Sequence, residues 1–282
     1  MTTIGVVSPG AMGSALGRAW LAGGARVVAT VGGRSDRTRR LADGLELLPT
    51  LADVVGASAV VVSVCPPDAA AAVLADVIAA AGDHRPVLAD LNAVSPATMD
   101  ALERQAEEAG FALVDGSISG GPPAPGGDTM LYLSGVEATV LADLPADGLR
   151  TRVVGGRVGT ASAVKMCTAS VYKGTTAVWA QALQAAYDLG VLDVVLDDLR
   201  EEHPDEVSRA ARRIAVSTAK AQRFVGEMEQ IALTQGTAGT SPELFEGMAA
   251  VYRRLATTQI ASLSPEEAAA LDDLEDVLQR LR

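Results

Sequence analysis

The sequence contains few of the residues on which metal centres and disulfide-bonded folds depend. Its only cysteines, Cys65 and Cys167, are too few for a disulfide framework and lack the spacing of a zinc site. Its only histidines, His84 and His203, lie far apart in the chain, so neither a histidine-rich metal centre nor a Ser-His-Asp triad is expected. We therefore expect a cytoplasmic protein that holds no metal.

Aromatic residues and long apolar runs are also scarce. Aromatic side chains make up 3% of the chain, which leaves few platforms for stacking nucleic-acid bases. Glycine, proline or charge interrupts every apolar stretch before it reaches the roughly twenty residues of a membrane-spanning helix. The net charge of −12 repels nucleic acid and anionic membranes alike. We expect neither as a partner.

The first half of the chain alternates short β-branched runs with Ala- and Leu-rich stretches of helical length, such as Ala11 to Ala22 and Ala69 to Ala81. This alternation is typical of βαβ units and a mainly parallel sheet. The predicted strands are Ile4 to Val7, Arg26 to Val31, Ala59 to Val64, Val87 to Leu91, Ala112 to Val114 and Met130 to Leu133. The fold class is therefore predicted as α/β, with a Rossmann doubly wound sheet in residues 1–158.

Residues 159–282 carry a helical pattern without a strand signal, broken chiefly near Gly190, Pro204, Gly236 to Pro242 and Pro265. We predict an all-α C-terminal domain there. Its first segment, Ala161 to Leu189, is apolar around most of its circumference, which is typical of a buried helix. We expect that helix to be buried between domains or between subunits.

A glycine turn connects the first predicted strand to the first helix. It reads Ile4-Gly5-Val6-Val7-Ser8-Pro9-Gly10-Ala11-Met12-Gly13, a strand-to-helix context in which glycine turns bind dinucleotides. Gly10 would let the backbone approach a pyrophosphate, Gly13 would let the helix pack on the sheet, and the helix N-terminus would offer N–H groups. Ser8 replaces the first glycine of G-x-G-x-x-G. We predict that residues 8–13 bind the cofactor; a plain tight turn is the alternative.

A basic cluster follows the second predicted strand of this otherwise acidic chain, at Arg34, Arg37, Arg39 and Arg40. NAD enzymes place a carboxylate on the ribose 2′-hydroxyl at the end of this strand, but this chain has none directly there. Arg34, Ser35 and Arg37 could instead hold a 2′-phosphate, which favours NADP. Asp36 argues against this assignment, and a solvated helix start with surface arginines is the alternative.

Three further segments carry polar residues at predicted strand ends and at a helix start. They read Asp90-Leu91-Asn92-Ala93-Val94-Ser95-Pro96, Asp115-Gly116-Ser117-Ile118-Ser119-Gly120-Gly121-Pro122 and Gly159-Thr160-Ala161-Ser162-Ala163-Val164-Lys165-Met166-Cys167. Together with Met12-Gly13, they resemble the β-hydroxyacid dehydrogenase family, which includes 3-hydroxyisobutyrate and 6-phosphogluconate dehydrogenases. The resemblance spans roughly the whole chain, and its C-terminal part is similar to the helical domain of phosphogluconate dehydrogenase.

The resemblance implies an oxidoreductase that transfers a hydride between nicotinamide and a small hydroxyacid or carbonyl substrate, and the arginine cluster makes NADP the predicted cofactor. Lys165 matches the general acid and base of the family, and Ser119, Gly120 and Gly121 match residues that bind the substrate carboxylate. Asn92 matches a position near nicotinamide and substrate, and Val64 and Cys65 are predicted to line the cofactor site. The resemblance also implies a homodimer, which we expect to form through the C-terminal helices.

One departure from the family lies four residues after Lys165, where an asparagine is replaced by Ala169. Thr168 and Tyr172, at i+3 and i+7, share the helix face of Lys165. We predict that Thr168 contacts the substrate and that Tyr172 orients Lys165 or donates the proton itself. Lys173 is turned away from that face and is predicted to bind a distal anion, unless it merely reaches solvent.

Two other functions are compatible with the sequence. An imine reductase of the same architecture reduces C=N with NADPH, usually with Asp or Tyr at the catalytic position, and Tyr172 together with the missing asparagine keeps this hypothesis open. A nucleotide-binding protein that has lost its chemistry is the third hypothesis, against which the retention of Lys165 and Ser119 argues.

Overall fold

Eight strands form one sheet in residues 1–166 of the computed structural model, which describes residues 1–282. The strands are β1 (Thr3–Val6), β2 (Arg26–Ala29), β3 (Glu46–Leu47), β4 (Val60–Ser63), β5 (Val87–Asp90), β6 (Leu113–Ser119), β7 (Thr129–Ser134) and β8 (Leu149–Gly155). Their order in the sheet is β3-β2-β1-β4-β5-β6-β7-β8. Strands β1 to β6 pair parallel, β7 is antiparallel to β6, and β8 is parallel to β7.

The strand order reverses at β1, which has β2 on one side and β4 on the other. Such a switch point is where open α/β sheets bind ligands, beyond the carboxyl ends of the strands. The order and direction of the strands confirm the predicted doubly wound α/β sheet, and all six predicted strands are present.

Helices cover both faces of this sheet. They are α1 (Ala11–Ala22), α2 (Asp36–Leu41), α3 (Leu51–Ala57), α4 (Ala70–Ala81), α5 (Pro96–Glu108) and α6 (Ala138–Ala142). One core cluster includes Leu16 and Trp20 of α1, and a second includes Leu74 of α4 and Met99 of α5. The β-branched strands therefore lie between two apolar layers, which explains why they read as near-continuous apolar runs.

The second compact unit, Cys167–Arg282, is entirely helical, as predicted. Its helices are α7 (Thr160–Asp188), which begins in the first unit, α8 (Leu192–Glu202), α9 (Pro204–Thr218), α10 (Ala221–Thr237), α11 (Glu243–Leu255), α12 (Pro265–Ala268) and α13 (Leu274–Arg280). The units divide inside α7, after Met166, rather than after residue 158, because the first turns of α7 are hydrogen-bonded to the sheet. No helix combines the length and apolar character needed to cross a membrane.

Candidate functional site

The turn between β1 and α1 has the backbone geometry of a phosphate-binding loop. Gly10 precedes the helix without a side-chain cap, and the first turn of α1 has no acidic residue, so its N-terminal dipole is uncompensated. A Cβ atom at Gly10 would have no protein atom within 4 Å, whereas a Cβ atom at Gly13 would lie 2.2 Å from the Ser8 carbonyl oxygen. Gly10 thus leaves open space in front of the helix, and Gly13 allows close strand-helix packing.

Ser8 is tolerated in the turn because its backbone has a negative φ, as has every residue other than glycine. Its carbonyl oxygen accepts a hydrogen bond from the Gly10 N–H at 2.8 Å, and the buried Pro9 carbonyl accepts one from Ser14 Oγ at 2.5 Å. Ala11 is exposed, and Met12 packs against the core beneath the turn. The turn can therefore still accommodate a dinucleotide pyrophosphate, although Ser8 replaces the first glycine of the pattern.

A cavity of about 310 Å³ lies beyond the carboxyl ends of β1 and β2. It is lined by Val7, Thr30, Gly32, Gly33, Arg34, Pro49, Thr50, Leu51, Val73 and Asp76. Arg34 contributes positive charge to this lining and Asp76 negative charge. Ser35 caps α2 by accepting a hydrogen bond from the Thr38 N–H at 3.3 Å, and Arg37 lies exposed on that helix. None of the four clustered arginines forms an ion pair.

The carboxyl ends of β4 and β5 are joined through Asn92. The Cys65 N–H donates to Asn92 Oδ1 at 2.5 Å, while Asn92 Nδ2 and N–H donate to the two carboxylate oxygens of Asp90 at 2.7 and 2.9 Å. Burial raises the pKa of Asp90 to about 7, opposed by the Asn92 hydrogen bonds and reinforced by the negative charge of Asp115. Burial likewise raises the pKa of the Cys65 thiol. Val64, beside Cys65, packs against the core.

The first turns of α7 are hydrogen-bonded to β6 and β7. Asp115 on β6 accepts hydrogen bonds from the Ser162 N–H at 3.0 Å, Ser162 Oγ at 2.7 Å and Ser134 Oγ at 2.9 Å. Ser134 Oγ in turn accepts from the Ala161 N–H at 3.0 Å, and Ser117 Oγ donates to the Ala161 carbonyl at 2.7 Å. Burial raises the pKa of Asp115, and these hydrogen bonds oppose that shift.

Lys165 lies one turn further along α7. Its Nζ donates to the carbonyl oxygen of Ile118 at 2.5 Å, directly before Ser119, which ends β6 and leads into the loop that contains Gly120 and Gly121 (the Ser119 loop). In that loop Gly120 has φ +112°, a left-handed conformation that glycine adopts readily. Gly120 and Gly121 are exposed, and the Gly121 carbonyl accepts from Thr129 Oγ1 at 3.0 Å. The structure therefore brings the predicted acid-base lysine to the predicted carboxylate-binding loop.

The predicted site residues that follow Met166 belong to the second unit. Thr168 is half-buried on α7, and Tyr172 is 66% exposed, with its carbonyl accepting hydrogen bonds from Thr176 and Arg213. Lys173, predicted to bind an anion or reach solvent, forms an ion pair with Glu227 and lies 4.3 Å from the centre of the Phe224 ring.

Five residues of these hydrogen-bond networks have no role predicted from the sequence: Asp90, Asp115, Ser117, Ser134 and Ser162. The available signal was a carboxylate within an apolar strand, as in Val87-Leu88-Ala89-Asp90. A charged residue is almost never fully buried unless it is paired, so an acid in a buried strand indicates a partner. For Asp90 that partner is Asn92, two residues away, whereas for Asp115 it includes Ser162, 47 residues further along the chain.

Known proteins resemble this chain in sequence and in fold. Residues 3–144 match the family model described as the NAD binding domain of 6-phosphogluconate dehydrogenase, and residues 186–255 match a domain of unknown function. An uncharacterized 28.5 kDa protein from Methanothermus fervidus is 30% identical over 174 residues, covering 61% of this chain. The match spans 66% of that relative's length.

Solved structures resemble the whole chain. One, a conserved protein of unknown function described as similar to 3-hydroxyacid dehydrogenases, has a TM-score of 0.67 at 25% identity, covering 95% of this chain and 99% of that one. Mycobacterium tuberculosis 3-hydroxyisobutyrate dehydrogenase has a TM-score of 0.69 at 21% identity, covering 100% and 99%. An imine reductase from Myxococcus stipitatus, in complex with NADP+, has a TM-score of 0.56 at 22% identity, covering 99% and 100%. The fold is thus an NAD(P)-binding fold like that of hydroxyacid dehydrogenases and imine reductases.

Proposed function

Because this chain belongs to the family defined by the NAD binding domain of 6-phosphogluconate dehydrogenase, we propose that it is an NADP-dependent oxidoreductase of a small hydroxyacid or its carbonyl form. Lys165 is the general acid and base in this proposal. The observation that carries it is the hydrogen bond from Lys165 Nζ to the Ile118 carbonyl, which places the ammonium group beside the Ser119 loop.

The proposed chemistry divides the work between the loop and the lysine. When bound, the nicotinamide dinucleotide supplies the hydride for reduction or accepts it in oxidation. The Ser119 hydroxyl and the N–H groups of Gly120 and Gly121 hold the substrate carboxylate. In reduction, Lys165 gives one proton from Nζ to the alkoxide oxygen and becomes neutral; in oxidation, neutral Lys165 takes the hydroxyl proton.

Residues 8–13 and the network around Asn92 are proposed to hold the cofactor. The pyrophosphate would lie in front of Gly10, where the helix start is uncapped. We propose that the 2′-phosphate lies against Arg34, Ser35 and Arg37, because Arg34 lines the cavity beyond β2. Val64, Cys65 and Asn92 would border the nicotinamide end, with Asn92 fixed by Asp90.

Reduction of C=N is the second candidate activity. Two observations support this activity. Ala169 replaces the family asparagine, so a polar group that would orient a hydroxyacid is missing, and the fold is similar to that of imine reductases. In this version Lys165 or Tyr172 protonates the amine nitrogen after hydride addition, with Thr168 bordering the substrate.

A substrate panel separates these activities. Purified protein would be tested in three arms: NADPH with aldehyde acids or keto acids, NADP+ with hydroxyacids, and NADPH with cyclic imines. The absorbance of the reduced nicotinamide is recorded in each arm. Turnover of a hydroxyacid pair supports the main proposal, and turnover of cyclic imines alone supports the second. Dinucleotide binding without turnover in any arm would favour a protein that has lost its chemistry.

We further propose a cytoplasmic homodimer formed through the C-terminal helices. Exposed apolar side chains on α7 and α8, including Val171 at 61% and Val194 at 72%, support association. Both cysteines are free, which agrees with a reducing compartment. Light scattering coupled to size exclusion tests the dimer, and a monomeric mass at micromolar concentration would reject it.

A further inference from the structure

We propose that Asp115 is a positioning residue for Lys165. Its buried carboxylate fixes the start of α7 against β6 and thereby sets the location of the Lys165 ammonium group. The inference rests on the proposed function for the acid-base role of Lys165, whereas the contacts of Asp115 from which it is argued are all with groups of the protein itself.

The first support is the set of groups that converge on this carboxylate. Asp115 is fully buried, and it accepts the backbone N–H and hydroxyl of Ser162 and the hydroxyl of Ser134. A buried carboxylate with this many donors is held in one orientation, because moving it would leave several polar groups unpaired.

The second support is the way α7 begins. Five shorter helices, α2, α3, α5, α12 and α13, are capped by a Ser, Thr or Asp directly before their first residue. The residue before α7 is Gly159, which has φ +90° and no side chain to serve as a cap. Asp115 and Ser134 accept the free N–H groups instead, so the cap of α7 comes from the sheet.

A cap supplied by the sheet does more than satisfy the helix. A local cap leaves a helix free to shift on its neighbours, whereas a cap on β6 fixes the helix to that strand. The 29 residues of α7 also present a macrodipole whose positive end meets the carboxylate, which favours this placement of the negative charge. Asp115 therefore ties the first turn of α7 to the sheet electrostatically as well as by hydrogen bonds.

The third support is the position of Lys165 relative to this attachment. Ala161 and Ser162, whose N–H groups are held, lie four and three residues before Lys165, on the same helix face one turn away. The Lys165 Nζ donates to Ile118, on the same strand as Asp115. Two attachments to β6 thus fix the lysine, and both are on regular elements rather than on loops.

The test combines turnover with a readout that needs neither cofactor nor substrate. The chain has only three lysines, Lys165, Lys173 and Lys220. Brief acylation with acetic anhydride followed by peptide mapping gives the labelling rate of Lys165 relative to Lys220 as an internal reference. We expect Asp115→Ala to raise this ratio, because Lys165 would lose its fixed contact with Ile118, and Asp115→Asn to give an intermediate value, because its amide oxygen still accepts one N–H.

Turnover is expected to change in parallel. Asp115→Ala should lower kcat about 10- to 100-fold, as a misplaced catalytic group does, with an unchanged dinucleotide Kd and partial recovery in Asp115→Asn. Asp273→Ala, which removes the side-chain cap of α13, is the matched control: it should lower Tm without changing kcat or the labelling ratio. If Asp115→Ala fails to fold, Asp115→Asn and Ser162→Ala carry the same measurements.

An unchanged labelling ratio in folded Asp115 variants would overturn the inference. An equal loss of kcat in Asp273→Ala at a matched loss of Tm would also overturn it, because the effect would then follow stability alone. If the parent protein turns over no substrate, the proposed function fails, whereas the labelling ratio still decides whether Asp115 positions Lys165.

Discussion

Asp90 and Asp115 lie directly opposite each other on the neighbouring parallel strands β5 and β6, and both carboxyl groups are buried. Asp90 holds Asn92, and Asp115 holds the start of the helix that carries Lys165. The proposed cofactor side and the proposed acid-base side therefore each depend on a buried acid. Burial raises the pKa of both carboxyl groups, and for Asp90 the neighbouring charge of Asp115 adds to that rise.

The raised pKa of Asp90 predicts that the protein loses stability as the pH rises from about 4 to about 7. Its pKa rises from 3.8 in the unfolded chain to about 7 in the folded one, so the folded state binds more protons in this window. The resulting loss is as much as about 4 kcal/mol, since each pKa unit corresponds to about 1.4 kcal/mol. Urea unfolding at several pH values measures it.

Asp90→Asn is the control for this pH dependence, because an amide does not titrate. We expect a shallower decline in this variant, with the remaining slope due to other groups such as Asp115, whose pKa is shifted in the same direction. Identical pH dependence in the parent and the variant would contradict the assignment to Asp90.

Two alanine substitutions in the glycine turn should separate binding from folding. Gly10→Ala adds a Cβ with no protein atom within 4 Å, so we expect an unchanged Tm but weaker dinucleotide binding. Gly13→Ala puts a Cβ against the Ser8 carbonyl, so we expect a loss of about 1–3 kcal/mol of stability as well. Calorimetric binding and thermal unfolding of both variants check this, and full dinucleotide affinity in Gly10→Ala would count against the proposed site.

Arg34→Ala should reduce the preference for NADPH over NADH. A lost charge-assisted hydrogen bond to the 2′-phosphate is worth about 1.5–3 kcal/mol, which corresponds to at least a tenfold fall in kcat/KM with NADPH and little change with NADH. Arg39→Ala, in the last turn of α2, is the control from the same cluster. A preference of the parent protein for NADH would reject the NADP assignment outright.

Lys173→Met should destabilise the C-terminal unit. Glu227 is 4% exposed and would lose its ion pair with Lys173, keeping only Arg223 at 3.1 Å. We expect a loss of about 3 kcal/mol in the free energy of unfolding, because an under-compensated buried charge remains. The double variant Lys173→Met with Glu227→Gln should recover part of this loss; no loss in the single variant would show that the pair is dispensable.

Local patterns in the sequence predict the fold class and six of the eight strands. The apolar run after Gly159 predicted a helix from Ala161 to Leu189, and α7 spans Thr160–Asp188. Two strands were not predicted. The strand β3 has only two residues, both exposed, and β8 lies at the sheet edge, where exposed Arg150 masks the alternating pattern of a strand.

The support of the candidate site was not predictable in the same way. The family resemblance identifies Lys165 and the Ser119 loop, but their contact through Ile118 joins residues 47 positions apart. The separation of Asp115 and Ser162 is also 47 positions, and neither residue carries a local sign of the other. A strand-to-helix register sets both contacts, and only the packed fold defines that register.

The central claim is that Lys165 moves the proton. Steady-state turnover of Lys165→Ala, measured with the substrate found in the panel and alongside dinucleotide Kd, tests it most directly. Loss of general acid-base catalysis predicts a fall in kcat of about 100- to 10,000-fold with Kd unchanged. Turnover close to that of the parent protein would contradict the account and make Tyr172 the next residue to replace.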